Sequence, residues 1–155
     1  MKSEVTNESR QRPEMDSVER MLSVVGDRWT FLLLREAFFG VTRFEDFRVN
    51  TGASPAVLTD RLKRSVQHGL LERQRYGTHR KRFGYRLTEK GTDLYPIIVL
   101  MMKWGDRWLN DGASPIVLTH TCGATTEAMV LRCDGCGEVI EARDVEWSNG
   151  EVEEP

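Results

Sequence analysis

The sequence predicts a mostly α-helical fold with one small β-hairpin, and two observations carry this prediction. Between residues 16 and 69, apolar side chains recur at helical spacing in short segments that begin at Asp, Thr or Ser and end at or near Gly. After Gly69, apolar and polar residues alternate in two short segments, a pattern typical of paired strands. A chain of 155 residues, 39% of them hydrophobic, can bury one ordinary core and carry a small appendage.

Two helices are predicted within the first forty residues. Asp16 and Glu19 have the spacing of a capping box, and the apolar residues that follow at i, i+3, i+4 and i+7 are Val18, Met21, Leu22 and Val25. Asp27 is the predicted cap of the second helix and Gly40 its stop. One face of this second helix carries Trp29, Leu32 and Leu33. We expect the second helix to be largely buried.

A third, short helix is predicted to begin at Thr42 as its cap, with Phe44 and Phe47 on its apolar face. The segment TGAS then leads into a fourth helix over residues 55–68, with Ser54 as the cap. Two short helices joined by a Gly-containing turn are the signature of a helix-turn-helix motif.

The fourth helix has two different faces. At 100° per residue, Leu58 and Leu62 mark the inward face. The opposite face has short side chains at its start and basic ones further along: Ala56, Thr59, Asp60, Lys63, Arg64 and Gln67. Such a face is expected where a helix enters a DNA groove.

A basic hairpin follows this helix. The segments LLERQRY and RFGYRLT predict two strands, and GTHRK is the tip that joins them. Residues 75–91 hold six Lys or Arg against a single acidic residue, Glu89. A hairpin in this position is a wing, and its tip, from Thr78 to Lys81, is placed to reach phosphates or an adjacent minor groove.

Charge is distributed unevenly along the chain. The formal net charge is -2, but residues 41–95 carry +6 and residues 111–155 carry -8. A compact basic cluster is the electrostatic footprint of phosphate binding, although a solvated basic face would give the same count. The acidic C-terminal third is not expected to contact DNA.

The segment from Thr88 to Gly112 predicts a long helix and a dimer. Thr88 is its cap, Pro96 is expected to kink it, and residues 97–102 are apolar on every side. A second copy related by a two-fold axis would cover these faces, whereas a larger single core or an apolar ligand cavity is the alternative. The predicted dimer contacts on this helix and the first one are Val18, Leu22, Ile97, Leu100, Met101, Trp104 and Trp108.

These same segments carry a family resemblance. The run SVERMLSVVGDRWTFLLLREAFFG, followed by RFEDF, VLTDRLKRSVQHGLLER and YRLTEKG, resembles the HxlR family of bacterial winged helix-turn-helix transcriptional regulators over roughly residues 16–112. The resemblance implies a homodimer that binds an operator through two wings and two recognition helices. Two positions depart from the family: Asp16 and Ser17 stand where many members have a cysteine, and Ser65 stands where a Leu is usual.

The C-terminal segment contains the only three cysteines. Cys133 and Cys136 form a C-x-x-C motif before Gly137, and His120 and Cys122 lie about ten residues upstream. Four such ligands would suit a tetrahedral zinc ion, and EAMVL is a candidate strand between the two halves. The H-x-C spacing is tighter than usual, so a metal-free hairpin with reduced thiols and a redox pair at Cys133 and Cys136 stay open as alternatives.

Function is predicted to be that of a cytoplasmic regulator that binds a roughly palindromic DNA operator as a homodimer, through the helix 55–68 and the wing 76–83. No apolar run reaches the ~18 residues that span a bilayer, and no nucleotide-binding fingerprint or catalytic motif predicts an enzyme or an organic cofactor. A winged-helix adaptor that binds protein instead of DNA is the alternative. The predicted DNA contacts are Arg43, Ser54, Ala56, Thr59, Asp60, Lys63, Arg64, His79, Arg80, Lys81 and Arg82.

The predicted domain organisation has four parts. A flexible segment, 1–15, precedes the winged helix-turn-helix domain with its dimerisation helices, 16–112. A Cys/His-containing extension, 113–147, and an acidic flexible tail, 148–155, complete the chain.

Overall fold

The computed structural model describes residues 16–75, 83–125 and 130–145. Two compact units are distinguished, one of residues 21–116 and one that combines residues 1–20 with residues 117–155. The predicted wing tip, the first fifteen residues and the acidic tail lie outside the described residues. Within the described part of the chain, no helix has both the length and the apolar character needed to cross a membrane.

The described elements confirm the predicted fold class, mostly helical with one two-stranded antiparallel hairpin. In chain order they are α1 (Ser17–Val25), α2 (Arg28–Phe38), α3 (Phe44–Thr51), α4 (Pro55–Gln67), β1 (Leu71–Arg75), β2 (Phe83–Leu87), α5 (Glu89–Thr92) and α6 (Tyr95–Leu109). The register pairs Leu71 with Leu87 and Arg75 with Phe83.

Four of the predicted caps form. Asp16 accepts a hydrogen bond from the Glu19 N–H (2.9 Å), and Asp27 accepts from the N–H groups of the second and third residues of α2 (3.0 and 3.1 Å). Ser54 accepts from the Val57 N–H at 3.4 Å, and Thr88 accepts from the Gly91 N–H at 3.1 Å. These bonds satisfy N–H groups that have no partner inside their own helix.

The predicted cap at Thr42 is wrong. The residue before α3 is Arg43, whose side chain makes no capping bond. The carbonyl of Thr42 instead accepts a hydrogen bond from the N–H of Tyr85 at 2.8 Å. This bond holds Thr42 against β2, so that α3 begins one residue later than the sequence pattern predicts.

The core forms around α2, which packs against α3, α4, α6 and β2. The fully buried side chains include Leu33, Leu34, Phe47, Leu58 and Leu62. On α2 the most deeply buried pair is therefore Leu33 and Leu34, whereas Trp29 and Leu32 are only partly buried. Burial of each large apolar side chain contributes roughly 1.5–3 kcal/mol, so these residues fix the positions of α3 and α4 on α2.

The long C-terminal helix predicted from the sequence is two helices. The helix is interrupted at residues 93–94, between α5 and α6. Pro96 lies in the first turn of α6. Because first-turn residues need no N–H donor, Pro96 starts a helix here and does not kink one. Gly91 in α5 lies so close to the residue before β1 that a Cβ would clash with the Leu70 carbonyl oxygen.

The described residues of the C-terminal segment, 117–125 and 130–145, contain little regular structure. Two isolated antiparallel bridges, Thr119 with Thr125 and Arg132 with Val139, and one short 3-10 turn, Ala142–Asp144, are its described elements. The predicted strand EAMVL is not seen at Val130 and Leu131, and residues 126–129 lie outside the described chain.

Candidate nucleic-acid interface

Helix α4 exposes the face that the sequence predicts. Ala56, Thr59, Asp60, Lys63, Arg64 and Gln67 are all exposed, as is Ser54 ahead of the helix. Leu58 and Leu62 are 1% and 0% exposed and anchor the opposite face in the core. Gly52, in the turn before α4, has a φ of 70°, a conformation that glycine adopts without strain. The structure therefore presents one continuous polar face of α4 to solvent.

Arg61 holds α4 against the start of α2, a role that the sequence analysis missed. Its Nε lies 3.1 Å from Asp27 Oδ1, and a terminal guanidinium nitrogen lies 3.1 Å from Asp60 Oδ2. The contact with Asp27 is an ion pair and not a hydrogen bond, because among the described residues the buried Nε has no hydrogen-bond partner. Asp60, a predicted DNA contact, is thus paired with its helical neighbour. The helical spacing could have shown that Arg61 lies beside the buried face of α4, because Arg61 comes three residues after the buried Leu58 and adjoins Leu62.

Asp27 is the residue of α2's N-terminus that pairs with Arg61, and its environment favours the charged carboxylate over the protonated acid. Partial burial raises the pKa of Asp27, but the hydroxyl and N–H of Thr30, the Arg61 guanidinium and the Trp29 N–H together outweigh burial. The pKa of Asp27 is therefore held below its ordinary value. A charged Asp27 caps α2 and at the same time pairs with a residue of α4.

A buried carboxylate joins α2 to α3. Glu36 is 6% exposed, and its two oxygens accept hydrogen bonds from Arg35 (2.7 and 3.0 Å) and from the Asn50 side-chain amide (2.8 Å). Buried charge is tolerated only when it is paired in this way. The contact fixes the last turn of α3, immediately before the turn that leads to α4.

The strands beside α4 form the described root of the wing. Arg73 and Arg75 lie over the ring of Phe83, at 4.3 and 5.6 Å from its centre. On the other face of the hairpin is a small depression of about 140 Å³, lined by Thr42, Arg43, Gln74, Gly84 and Arg86. The predicted contact Arg43 thus lies close to Arg86, which the prediction omitted although it belongs to the same basic stretch. His79, Arg80, Lys81 and Arg82 lie outside the described residues.

The two helices predicted to form the dimer expose apolar side chains. On α6, Leu100, Met101, Trp104 and Trp108 are between 39% and 62% exposed, whereas Ile97 is partly buried and Ile98 and Val99 face the core. On α1, Val18 and Leu22 are 63% and 50% exposed. All of the predicted dimer contacts except Ile97 are therefore at the surface of the single chain.

The Cys/His residues form two local pairs. His120 Nδ1 lies 3.0 Å from Cys122 Sγ. The Cys133 sulfur accepts hydrogen bonds from the Cys136 N–H, the Gly135 N–H and the Cys136 thiol, which lower the pKa of Cys133. Among the described residues, no three His, Cys, Asp or Glu side chains come together at metal-binding distance.

The chain is similar to a known family of proteins and to individual relatives. A family model described as HxlR-like helix-turn-helix matches residues 24–113. Rv3095 of Mycobacterium tuberculosis, described as an uncharacterized HTH-type transcriptional regulator, is 46% identical over 136 residues, 86% of this chain and 85% of the relative. The HTH-type transcriptional regulator YodB of Bacillus subtilis is 32% identical over 101 residues, 64% of this chain and 88% of the relative.

The chain is also similar to a solved structure. The crystal structure of PA1607, described as a candidate transcription factor, is similar with a TM-score of 0.77 and 32% identity, covering 87% of this chain and 95% of that one. The alignment with Rv3095 is too long to fit within the first 113 residues, so it extends into the C-terminal segment.

Proposed function

Because the chain belongs to the HxlR-like helix-turn-helix family of bacterial transcriptional regulators, we propose that it binds a roughly palindromic DNA operator as a homodimer, with α4 in the major groove. The observation that carries this proposal is the exposed polar face of α4, which ends in Lys63 and Arg64 and lies next to the basic root of the wing. Side chains at Thr59 and Lys63 would contact base edges there.

The root of the wing is proposed to hold the DNA backbone. Arg43 and Arg86 line the same depression, and neither is buried. A phosphate oxygen beside the two guanidinium groups would make charge-assisted hydrogen bonds, and such contacts position a protein on DNA without reading its sequence. The wing tip, with Arg80 and Lys81, would extend this contact along the duplex.

Dimerisation is proposed to use the exposed apolar residues of α6 together with those of α1. Trp104 and Trp108 are large aromatic side chains one helical turn apart, 60% and 62% exposed in the single chain. Exposed aromatic residues of this kind are typical of protein interfaces. A two-fold axis through this surface would bring two copies of α4 onto one duplex, which is why the operator is expected to be palindromic.

The DNA proposal is tested by fluorescence anisotropy on the DNA upstream of the regulator's own gene and on scrambled DNA. We expect Lys63→Ala to change the preference between sites by about 1–3 kcal/mol, and Arg86→Ala to weaken binding to every sequence and lower the salt slope by about 1. Arg143→Ala is the control, because it removes one positive charge from the acidic C-terminal segment. Absence of any complex at low salt would overturn the proposal and favour the protein-binding adaptor.

The dimer is tested separately by light scattering. The unmodified protein should have about twice the chain mass, and Met101→Lys should give a monomer or an aggregate. Val49→Lys is the matched control, since Val49 is an exposed apolar residue on α3, a helix that carries none of the proposed dimer contacts. A folded monomer of the unmodified protein at micromolar concentration would contradict the assignment.

A further inference from the structure

The C-terminal segment contains two chain reversals built in the same way. In the first, the Gly123 N–H donates to the His120 carbonyl (2.8 Å) and the His120 N–H donates to the Ala124 carbonyl (2.8 Å). In the second, the Gly137 N–H donates to the Cys133 carbonyl (2.8 Å) and the Cys133 N–H donates to the Glu138 carbonyl (2.9 Å). We call these the first knuckle, residues 119–125, and the second knuckle, residues 132–139.

The two knuckles share two further features. An antiparallel bridge closes each of them, and the glycine after the last cysteine has a positive φ, 89° at Gly123 and 77° at Gly137. The first knuckle is one residue shorter than the second, which accounts for its H-x-C spacing beside C-x-x-C. The unusual spacing therefore still produces a chain reversal with the same kinds of closing bonds, in a turn that is one residue tighter.

Each knuckle brings two metal-ligand atoms together at its tip. In the first knuckle, His120 Nδ1 and Cys122 Sγ are 3.0 Å apart. Two ligands on one tetrahedral zinc ion, a nitrogen and a sulfur, are separated by about 3.5 Å, so only a small movement would let both bind one ion. In the second knuckle, Cys133 and Cys136 lie on one turn, which the bond from the Gly137 N–H to the Cys133 carbonyl closes, and the Cys133 sulfur lies over this turn beside Gly135.

The segment that carries these knuckles shows no hydrophobic core of its own in its described residues, 117–125 and 130–145. None of its described side chains between residues 117 and 145 is buried, and its three cysteines are free thiols. Chains of this length usually need a metal, a disulfide or a partner to fold, because they cannot bury enough apolar surface to offset the entropy of ordering. Two preformed pairs of metal-ligand residues in such a segment indicate that it uses a metal to fold.

We propose that the C-terminal segment binds one structural zinc ion through His120 and Cys122 of the first knuckle and Cys133 and Cys136 of the second. Three sulfurs and one imidazole nitrogen make the Cys₃His set that structural zinc prefers. Each knuckle presents two ligands, so the ion closes the segment by joining them. The four ligands leave no open position, and the metal's role is to stabilise the fold.

The proposal is tested on the full chain, purified without chelator. Elemental analysis should give one zinc per chain, and the three thiols should react with a disulfide reagent only after a chelator is added. Replacement of zinc by Co²⁺ should give the intense visible absorption of a tetrahedral thiolate site. Substoichiometric zinc with three freely reactive thiols, or a disulfide between Cys133 and Cys136 in the purified protein, would overturn the proposal.

Variants then assign the ligands. Cys122→Ser, Cys133→Ser, Cys136→Ser and His120→Ala should each lower zinc retention by at least tenfold in a chelator competition, whereas His68→Ala, the matched control outside the segment, should retain it fully. Protease cleavage within residues 117–145 should become faster in Cys133→Ser, and the thermal melting of the helical unit should not change. Full zinc retention in His120→Ala would refute the four-ligand assignment.

Discussion

Asp27 provides the sharpest test of how α4 is held in place. The change Asp27→Ala removes the N-cap of α2, which costs about 1 kcal/mol at a typical helix start. It also removes one of the two carboxylates that pair with Arg61, whose side chain is only 22% exposed. Among the described residues the buried Arg61 Nε makes no hydrogen bond, so the change removes an ion pair there and not a hydrogen bond. Loss of this partly buried ion pair costs roughly 1–2 kcal/mol, since Asp60 stays in place. We expect a total loss of about 2–3 kcal/mol in the free energy of unfolding.

Two variants separate the contributions at this site. Asp27→Asn keeps a side-chain oxygen for the N–H groups of Trp29 and Thr30 but loses the charge, so it should lose about 1 kcal/mol. Asp16→Ala is the matched control, because it removes an exposed cap on α1 and should cost less than Asp27→Ala. Urea unfolding followed by tryptophan fluorescence measures all three, with the slope m expected to stay constant. If Asp27→Ala and Asp16→Ala lose the same small amount, the link between α2 and α4 contributes nothing.

The dependence on pH has a defined sign. The pKa of Asp27 is lower in the folded chain than its ordinary value of 3.8, so its contribution to stability is present above that value. The contribution is lost as the pH falls through the lower, folded pKa. The difference in unfolding free energy between the unmodified protein and Asp27→Asn should therefore be constant near neutral pH and shrink only in acid, below about pH 4. A difference that shrinks already at pH 6 would contradict this assignment.

Three further changes test the packing around the interface. Ser65 is 2% exposed and, among the described residues, its hydroxyl has no hydrogen-bond partner. Ser65→Ala should therefore stabilise the protein by about 1 kcal/mol in urea unfolding. A loss of stability would show that the hydroxyl does have a hydrogen-bond partner. Gly91→Ala would press a methyl group against the Leu70 carbonyl oxygen and should lower the stability by roughly 1–3 kcal/mol, an expectation that an unchanged melting temperature would refute. Asn50→Ala leaves one oxygen of the buried Glu36 unpaired and should cost about 1–3 kcal/mol, with weaker operator binding because α3 loses its attachment to α2; equal stability of Asn50→Ala and the unmodified protein would count against this role.

The sequence predicts those parts of the fold that depend on local pattern. The four caps at Asp16, Asp27, Ser54 and Thr88 form because each side chain satisfies N–H groups only two or three residues away, a relation that spacing alone reveals. The buried and exposed faces of α4 follow in the same way from the helical period.

The features that the sequence misses depend on contacts between distant segments. Thr42 has the right residue type for a cap, but its carbonyl is bound by Tyr85, more than forty residues away. The pairing of Arg61 with Asp27 likewise spans two helices, and the periodicity of α4 places Arg61 only at the edge of the inward face. The division into α5 and α6 places Pro96 in a first turn, an outcome that depends on where the preceding helix ends.

The attachment of β2 to Thr42 has a consequence for how this protein can diverge from its relatives. The described part of the hairpin is fixed at its base, by the pairing of Leu71 with Leu87 and by the bond from Tyr85 to Thr42. A change in the length or sequence of residues 76–82 therefore need not shift the register of the strands or the position of α4. Under the proposed function, mutations in the wing would then change the affinity for the DNA backbone and mutations on α4 the preference among bases, as separate traits. Related regulators would acquire new operators in this way without rebuilding the fold.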